Sequence, residues 1–166
     1  MSETPGQGTP GQGAPADAGA AGETRFVDTY LLYLLARASS VASAEFHEEV
    51  RARGVPVTVW RILASLKGTA GLTVGDLARS CLANQPAISK MVDKLVIRGL
   101  LSRQTDGDDR RRVWVRLTAA GEAEVDGLIA AAERHQARLL EAIGPGEARV
   151  LKRALTLLIE RAAPDP

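Results

Sequence analysis

Aromatic residues are scarce in this chain of 166 residues: Phe, Trp and Tyr together make up 4%. A core built largely without them must draw on Leu, Val, Ile and Ala, which favours packed helices over a β-sandwich. Cysteine is nearly absent. The single Cys81 excludes an intrachain disulfide framework, and with only His47 and His135 beside it there is no Cys/His zinc cluster to assemble. Net charge is missing as well: 21 Lys and Arg stand against 20 Asp and Glu, so any basic surface must be local. The longest strongly apolar run, residues 30–36, is seven residues, whereas a membrane-spanning helix needs about 20. The first 20 residues have neither the basic start nor the apolar centre of a signal peptide. No G-x-S-x-G, P-loop or metal-ligand spacing is present. The expectation is a soluble cytoplasmic protein, not an enzyme, needing no metal and no cofactor and meeting no membrane.

The chain opens on a low-complexity stretch. TPGQG occurs at 4–8 and again at 9–13, followed by Ala, Pro and Gly, with no Lys or Arg in residues 1–22. Such a segment has little to bury and a large ordering cost, so residues 1–23 are expected to be a disordered tail. Helical periodicity begins at Thr24. Phe26, Val27, Tyr30, Leu31, Leu34, Leu35, Ala38, Val41, Ala42 and Phe46 recur every three or four residues, predicting one long amphipathic helix that Gly54 and Pro56 stop. Pro56 suits the first turn of a second helix, with Val59, Ile62, Leu63 and Leu66 on its apolar side. Thr73 with Asp76 three residues on predicts a capped short helix. Asn84 is the next N-cap, Pro86 fits the first turn behind it, and Gly99 closes that helix.

The period then changes to two. Leu101, Arg103 and Thr105 alternate with Ser102 and Gln104, and Val113, Val115 and Leu117 alternate with Trp114 and Arg116. Between them lies the polar run DGDDRRR, so this is a β-hairpin. Thr118 caps a further helix running to about Ala142. Gly144, Pro145 and Gly146 break it, and a last helix carries Val150, Leu151, Leu155, Leu158 and Ile159. The fold class is therefore mainly α with a small β-hairpin wing, in the order of a winged helix-turn-helix.

In such a unit the helix after the turn enters the DNA major groove. The helix from residue 84 has the two faces this requires. Ile88, Met91, Val92 and Leu95 form one; Gln85, Ser89, Lys90, Asp93 and Lys94 form the other. Gln and Ser suit base edges, and Lys suits phosphate or guanine. Its N-terminus is expected to offer free amides to a phosphate. Charge location agrees: residues 84–118 hold eight Lys or Arg against four Asp, and the remainder thirteen against sixteen acids. A neutral total thus conceals a basic segment.

LTVGDLA at 72–78, the helix 85–98, GLL at 99–101 and above all DRRRVWVRLTAAG at 109–121 resemble the MarR family of bacterial transcription regulators. The D-x-R…LT-x-x-G run is the most specific part, and the resemblance covers about residues 24–162. It implies one MarR-like domain in which 24–54 and 119–162 are dimerisation helices and 56–118 is the winged helix-turn-helix. It implies a homodimeric repressor on a pseudo-palindromic double-stranded operator, released by a small molecule or an oxidant. The implied DNA contacts are Gln85, Pro86, Ala87, Ser89, Lys90 and Lys94 on the helix, and Arg110, Arg111 and Arg112 on the wing. Arg111 matches the Arg that enters the minor groove, whose negative potential suits it, and Asp109 matches the acid that braces the wing. Pro56 departs from the Thr frequent in the family at that helix start.

The signal is expected from polar residues on otherwise apolar helices: Arg37, Ser40, His47, Trp60 and Arg61. A cation beside an indole suits a small aromatic carboxylate effector of benzoate, salicylate or nicotinate type. Two alternatives stand beside this reading. One is thiol redox sensing through Cys81, in the turn before the reading helix. The other is a winged-helix protein-interaction module that does not bind DNA.

Overall fold

The computed structural model describes residues 25–109 and 111–162. The expected tail and Arg110 lie outside the described residues. The chain divides into two compact units at Arg37/Ala38.

In the first unit, helix α1 (Phe26–Thr29) is a single turn, and α2 (Leu31–Ala52) follows it and continues into the second unit. The expected unbroken helix is therefore interrupted at Tyr30, whose backbone is extended at φ −73°, ψ 114°. Arg25 forms a two-bond ion pair with Asp28, and the Tyr30 ring stacks on Phe26 with centroids 4.9 Å apart. These local bonds close the first turn and hold its end apart from the helix that follows.

In the second unit, α3 (Val57–Leu66) starts after Pro56, which stands at the N-cap rather than inside the first turn. β1 (Leu72–Thr73) leads into α4 (Val74–Ser80), which has the full capping box: the Thr73 hydroxyl accepts from the Asp76 amide and the Asp76 carboxylate accepts from the Thr73 amide. α5 (Gln85–Ile97) follows Asn84 and ends at Gly99, φ +71°. β2 (Leu101–Thr105) and β3 (Val113–Leu117) form the expected hairpin, and α6 (Ala119–Ile143) and α7 (Pro145–Ala162) close the chain. The sheet has three antiparallel strands in the order β1-β3-β2, with Leu72 opposite Val115 and Leu101 opposite Leu117. β1 is an addition to the sequence reading, since two residues carry no period.

The core lies beneath this sheet. Ile62, Leu63, Leu77, Ile88, Val92, Leu95, Val115 and Val125 are fully buried, each such side chain contributing about 2 kcal/mol by leaving water. Gly121 explains the end of the LT-x-x-G motif. A Cβ there would stand 2.1 Å from the Leu100 carbonyl oxygen, while Thr118 donates its amide to that same oxygen and its hydroxyl to Gly99 O. The motif therefore locks α6 against the turn that ends α5.

Candidate nucleic-acid interface

Helix α5 carries the two faces its sequence foretold. Ile88, Val92 and Leu95 are buried and Met91 half-buried, which fixes the helix on the core. Gln85, Pro86, Ala87, Lys90 and Lys94 are exposed, and Ser89 is half-buried. Asp93 pairs with Arg103 on β2 at 2.5 Å. That pair removes one acid and one base from the basic segment and leaves Lys90 and Lys94 as the cations of the outer face.

The first turn of α5 differs from expectation. Asn84 Oδ1 accepts the Ala87 amide at 2.9 Å, Asn84 O accepts the Ile88 amide at 3.2 Å, and Pro86 has no amide hydrogen. Gln85 alone keeps its amide for a phosphate in this turn. The Asn84 side chain takes the Ala87 amide, Pro86 has none to give, and the Ile88 amide makes the ordinary helix bond, so this helix start presents fewer free donors than a bare one.

The wing is the loop between β2 and β3. Asp109 lies beside Arg111: its Oδ1 accepts the Arg111 amide at 3.0 Å and Nε at 3.1 Å, and Oδ2 accepts Nη2 at 3.3 Å. The Arg111 side chain is nonetheless 91% exposed. These bonds from Arg111 hold the Asp109 carboxyl below the usual carboxylate range. A second acid, missed by sequence reasoning, ties the loop to the sheet. Asp106 Oδ2 accepts the Trp114 indole N–H at 2.7 Å, and its Oδ1 accepts the amides of Asp108 and Asp109. The indole bond, then the two amides, keep the Asp106 carboxyl low as well. Nothing in residue spacing pairs position 106 with 114; the β2–β3 register creates the match.

The expected effector residues separate into two groups. Trp60 and Arg61 line a hollow of about 340 Å³ with Ser65, Ser80, Cys81 and Leu82. The Trp60 ring meets Phe46 edge-on at 5.2 Å, and Arg61 Nη1 reaches the Cys81 carbonyl at 3.5 Å. His47 is half-buried, and its pKa is lowered by burial and then by the charges of Arg61 and Arg51. Ser40 is exposed and is not among the residues lining this hollow. Arg37 belongs to the first unit, where its guanidinium lies 6.0 Å from the Tyr33 ring centroid. Ser65 and Ser80 were not singled out by the sequence, because their shared hollow arises only where α3 meets the end of α4. Cys81 is 2% exposed, and burial pushes its thiol up, the opposite of what a reactive thiolate needs.

The profile of the MarR family matches residues 53–112, which span α3, α4, α5 and the β2–β3 loop. A crystal structure of a MarR family transcriptional regulator from Silicibacter pomeroyi DSS-3 is 40% identical, covers 84% of this chain and 99% of its own, and superposes with a TM-score of 0.75. The chain belongs to the MarR family. As a member, it is a MarR-type transcriptional regulator with a winged-helix fold, and regulators of this family are not enzymes. The HTH-type transcriptional repressor MdtR of Bacillus subtilis (strain 168) is 29% identical over 96 residues, 58% of this chain and 62% of MdtR. The chain thus matches less than two thirds of that curated relative's length. The structure of NadR in complex with 4-hydroxyphenylacetate is 25% identical, covers 75% of this chain and 88% of that one, and has a TM-score of 0.68. Among the described residues, no helix of this MarR-family chain is long and apolar enough to cross a membrane.

Proposed function

We propose that this MarR-family regulator is a homodimeric repressor that binds a pseudo-palindromic duplex through α5 and the wing, and that a small aromatic carboxylate releases it. The observation that carries the DNA reading is the joint exposure of Gln85, Lys90 and Lys94 on one helix face and of Arg111 on the wing, each on an element anchored to the core. Ala87 and Pro86 present small apolar surface to the groove beside them, Ser89 stands at its edge, and Arg110 adds charge to the wing by its type. The helices at 24–54 and 119–162 are assigned to dimerisation. Support comes from α7, where Val150, Leu151, Leu157, Leu158 and Ile159 are exposed, an unusual apolar surface for a soluble monomer. For the effector, Trp60 supplies a ring to stack on, Arg61 supplies charge for a carboxylate, Ser65 and Ser80 supply hydroxyls, and His47, whose charged form burial and the neighbouring arginines disfavour, supplies a neutral imidazole for hydrogen bonding. The 4-hydroxyphenylacetate of the NadR structure belongs to the same chemical class.

The test is fluorescence anisotropy on a duplex selected by the protein from a random-sequence pool. Affinity is expected to fall by orders of magnitude between about 50 and 200 mM salt. Arg111→Ala is expected to weaken binding about tenfold with the fold intact by circular dichroism. Adding 4-hydroxyphenylacetate or salicylate is expected to release the duplex. Salt-insensitive binding, or none, defeats the DNA reading; intact binding with no response to the acids in anisotropy or calorimetry defeats the effector reading alone.

A further inference from the structure

The wing of this regulator contains a feature that neither its charge nor its motif requires. Trp114 is the second residue of the central strand, between Thr73 of β1 and Gln104 of β2. It is half-buried, and its indole N–H reaches out of the sheet to Asp106 at 2.7 Å. The other oxygen of Asp106 gathers the amides of Asp108 and Asp109 at 2.9 and 3.1 Å. The Asp106 amide donates to Arg112 O, and the Arg112 amide donates to Asp109 O, both at 2.9 Å. Asp109 then holds Arg111 through amide and guanidinium together. A continuous line of bonds therefore runs from the central strand to the exposed tip. Arg112 is exposed, but its guanidinium lies against the strand. Its guanidinium carbon lies 5.0 Å from the Trp114 ring centroid, covering the indole's open face.

A polar loop with no apolar side chain to bury would ordinarily sample many conformers, and ordering it on DNA would weaken binding. We infer that Trp114 and Asp106 are positioning residues for DNA binding: an indole–carboxylate clamp that presets the wing so that Arg111 meets the duplex already ordered, with Arg112 covering the clamp instead of contacting phosphate. This inference rests on the DNA-binding reading above.

The experiment is a double-mutant cycle on the full chain, using the selected duplex as probe. Trp114→Phe keeps a ring for Arg112 and for packing in β3 but deletes the N–H. Asp106→Ala deletes the acceptor. Each is expected to weaken duplex binding about tenfold and to make the slope of log affinity against log salt shallower by about one. The thermal midpoint of free Trp114→Phe is expected to stay close to wild type. The double variant is expected to bind no worse than either single one, because both break the same line of bonds. Unchanged affinity in the single variants overturns the inference. So do additive losses, or a fallen midpoint with an unchanged salt slope, which would mark a structural role. If wild type retains no duplex from the pool, the DNA reading fails and takes the positioning role with it. Slow exchange of the Trp114 indole hydrogen in free wild type, fast in Asp106→Ala, then shows that the bond itself exists and that its purpose was misread.

Discussion

Leu82 is the one non-glycine among the described residues with a left-handed backbone, at φ 52°, and it is 89% exposed. It terminates α4: its amide donates to Arg79 O and the next amide, of Ala83, to Ala78 O. This is the bonding pattern that favours glycine at the first position past a helix end. A leucine there bears roughly 1–2 kcal/mol of backbone strain and recovers none of it by burial. Leu82→Gly is therefore expected to raise stability by about 0.5–1 kcal/mol, part of the gain being lost to glycine's greater freedom when unfolded. Differential scanning calorimetry would register an upward shift of about 2 °C; a downward shift would show that the exposed side chain is held by something in the fold. At this same scale the sequence had little to say. A leucine carries no sign that its backbone will be left-handed, and the indole bond of Trp114 depends on two strands meeting across the hairpin, whereas spacing rules describe neighbours on one element. Lys90, Lys94 and Arg111 were legible because a charge on the outer face of an amphipathic helix, or at a hairpin tip, has nowhere else to point.

At the scale of the element, α5 was readable from end to end. Asn84, Pro86 and Gly99 marked its limits, and Ile88, Val92 and Leu95 its buried stripe, because caps and periodicity are local. The two-residue β1 was not readable, since it exists only through Val115 and Trp114 opposite it. The break at Tyr30 was missed because its apolar spacing continues the helical period while the backbone leaves it. The LT-x-x-G junction turns on contact between elements. Gly121→Ala would drive a methyl group into the Leu100 carbonyl, a backbone atom held by Thr118 and unable to retreat cheaply. A loss of about 3 kcal/mol is expected, seen as a lower urea midpoint with an unchanged slope. A neutral outcome would mean that the start of α6 moves freely against the end of α5.

At the scale of the whole molecule, the apolar side chains left exposed on α7 are at odds with solvation. If they form the subunit interface, light scattering at micromolar protein gives about twice the chain mass of 17.6 kDa. Ile159, 68% exposed in the single chain, is then inside the dimer. Ile159→Glu is expected to shift the mass toward the monomer and to weaken duplex binding at least tenfold, because each half-site loses its tether. A wild-type mass of 17.6 kDa would refute the assembly. The Asn84 cap bears on how such an assembly reads sequence. With the Ala87 amide tied to Asn84 and none on Pro86, recognition on the proposed reading falls to the side chains of Gln85, Lys90, Lys94 and Arg111, flexible limbs that a single codon can exchange. A regulator built this way changes its target without disturbing its scaffold, so relatives with superimposable backbones are free to diverge in the promoters they govern.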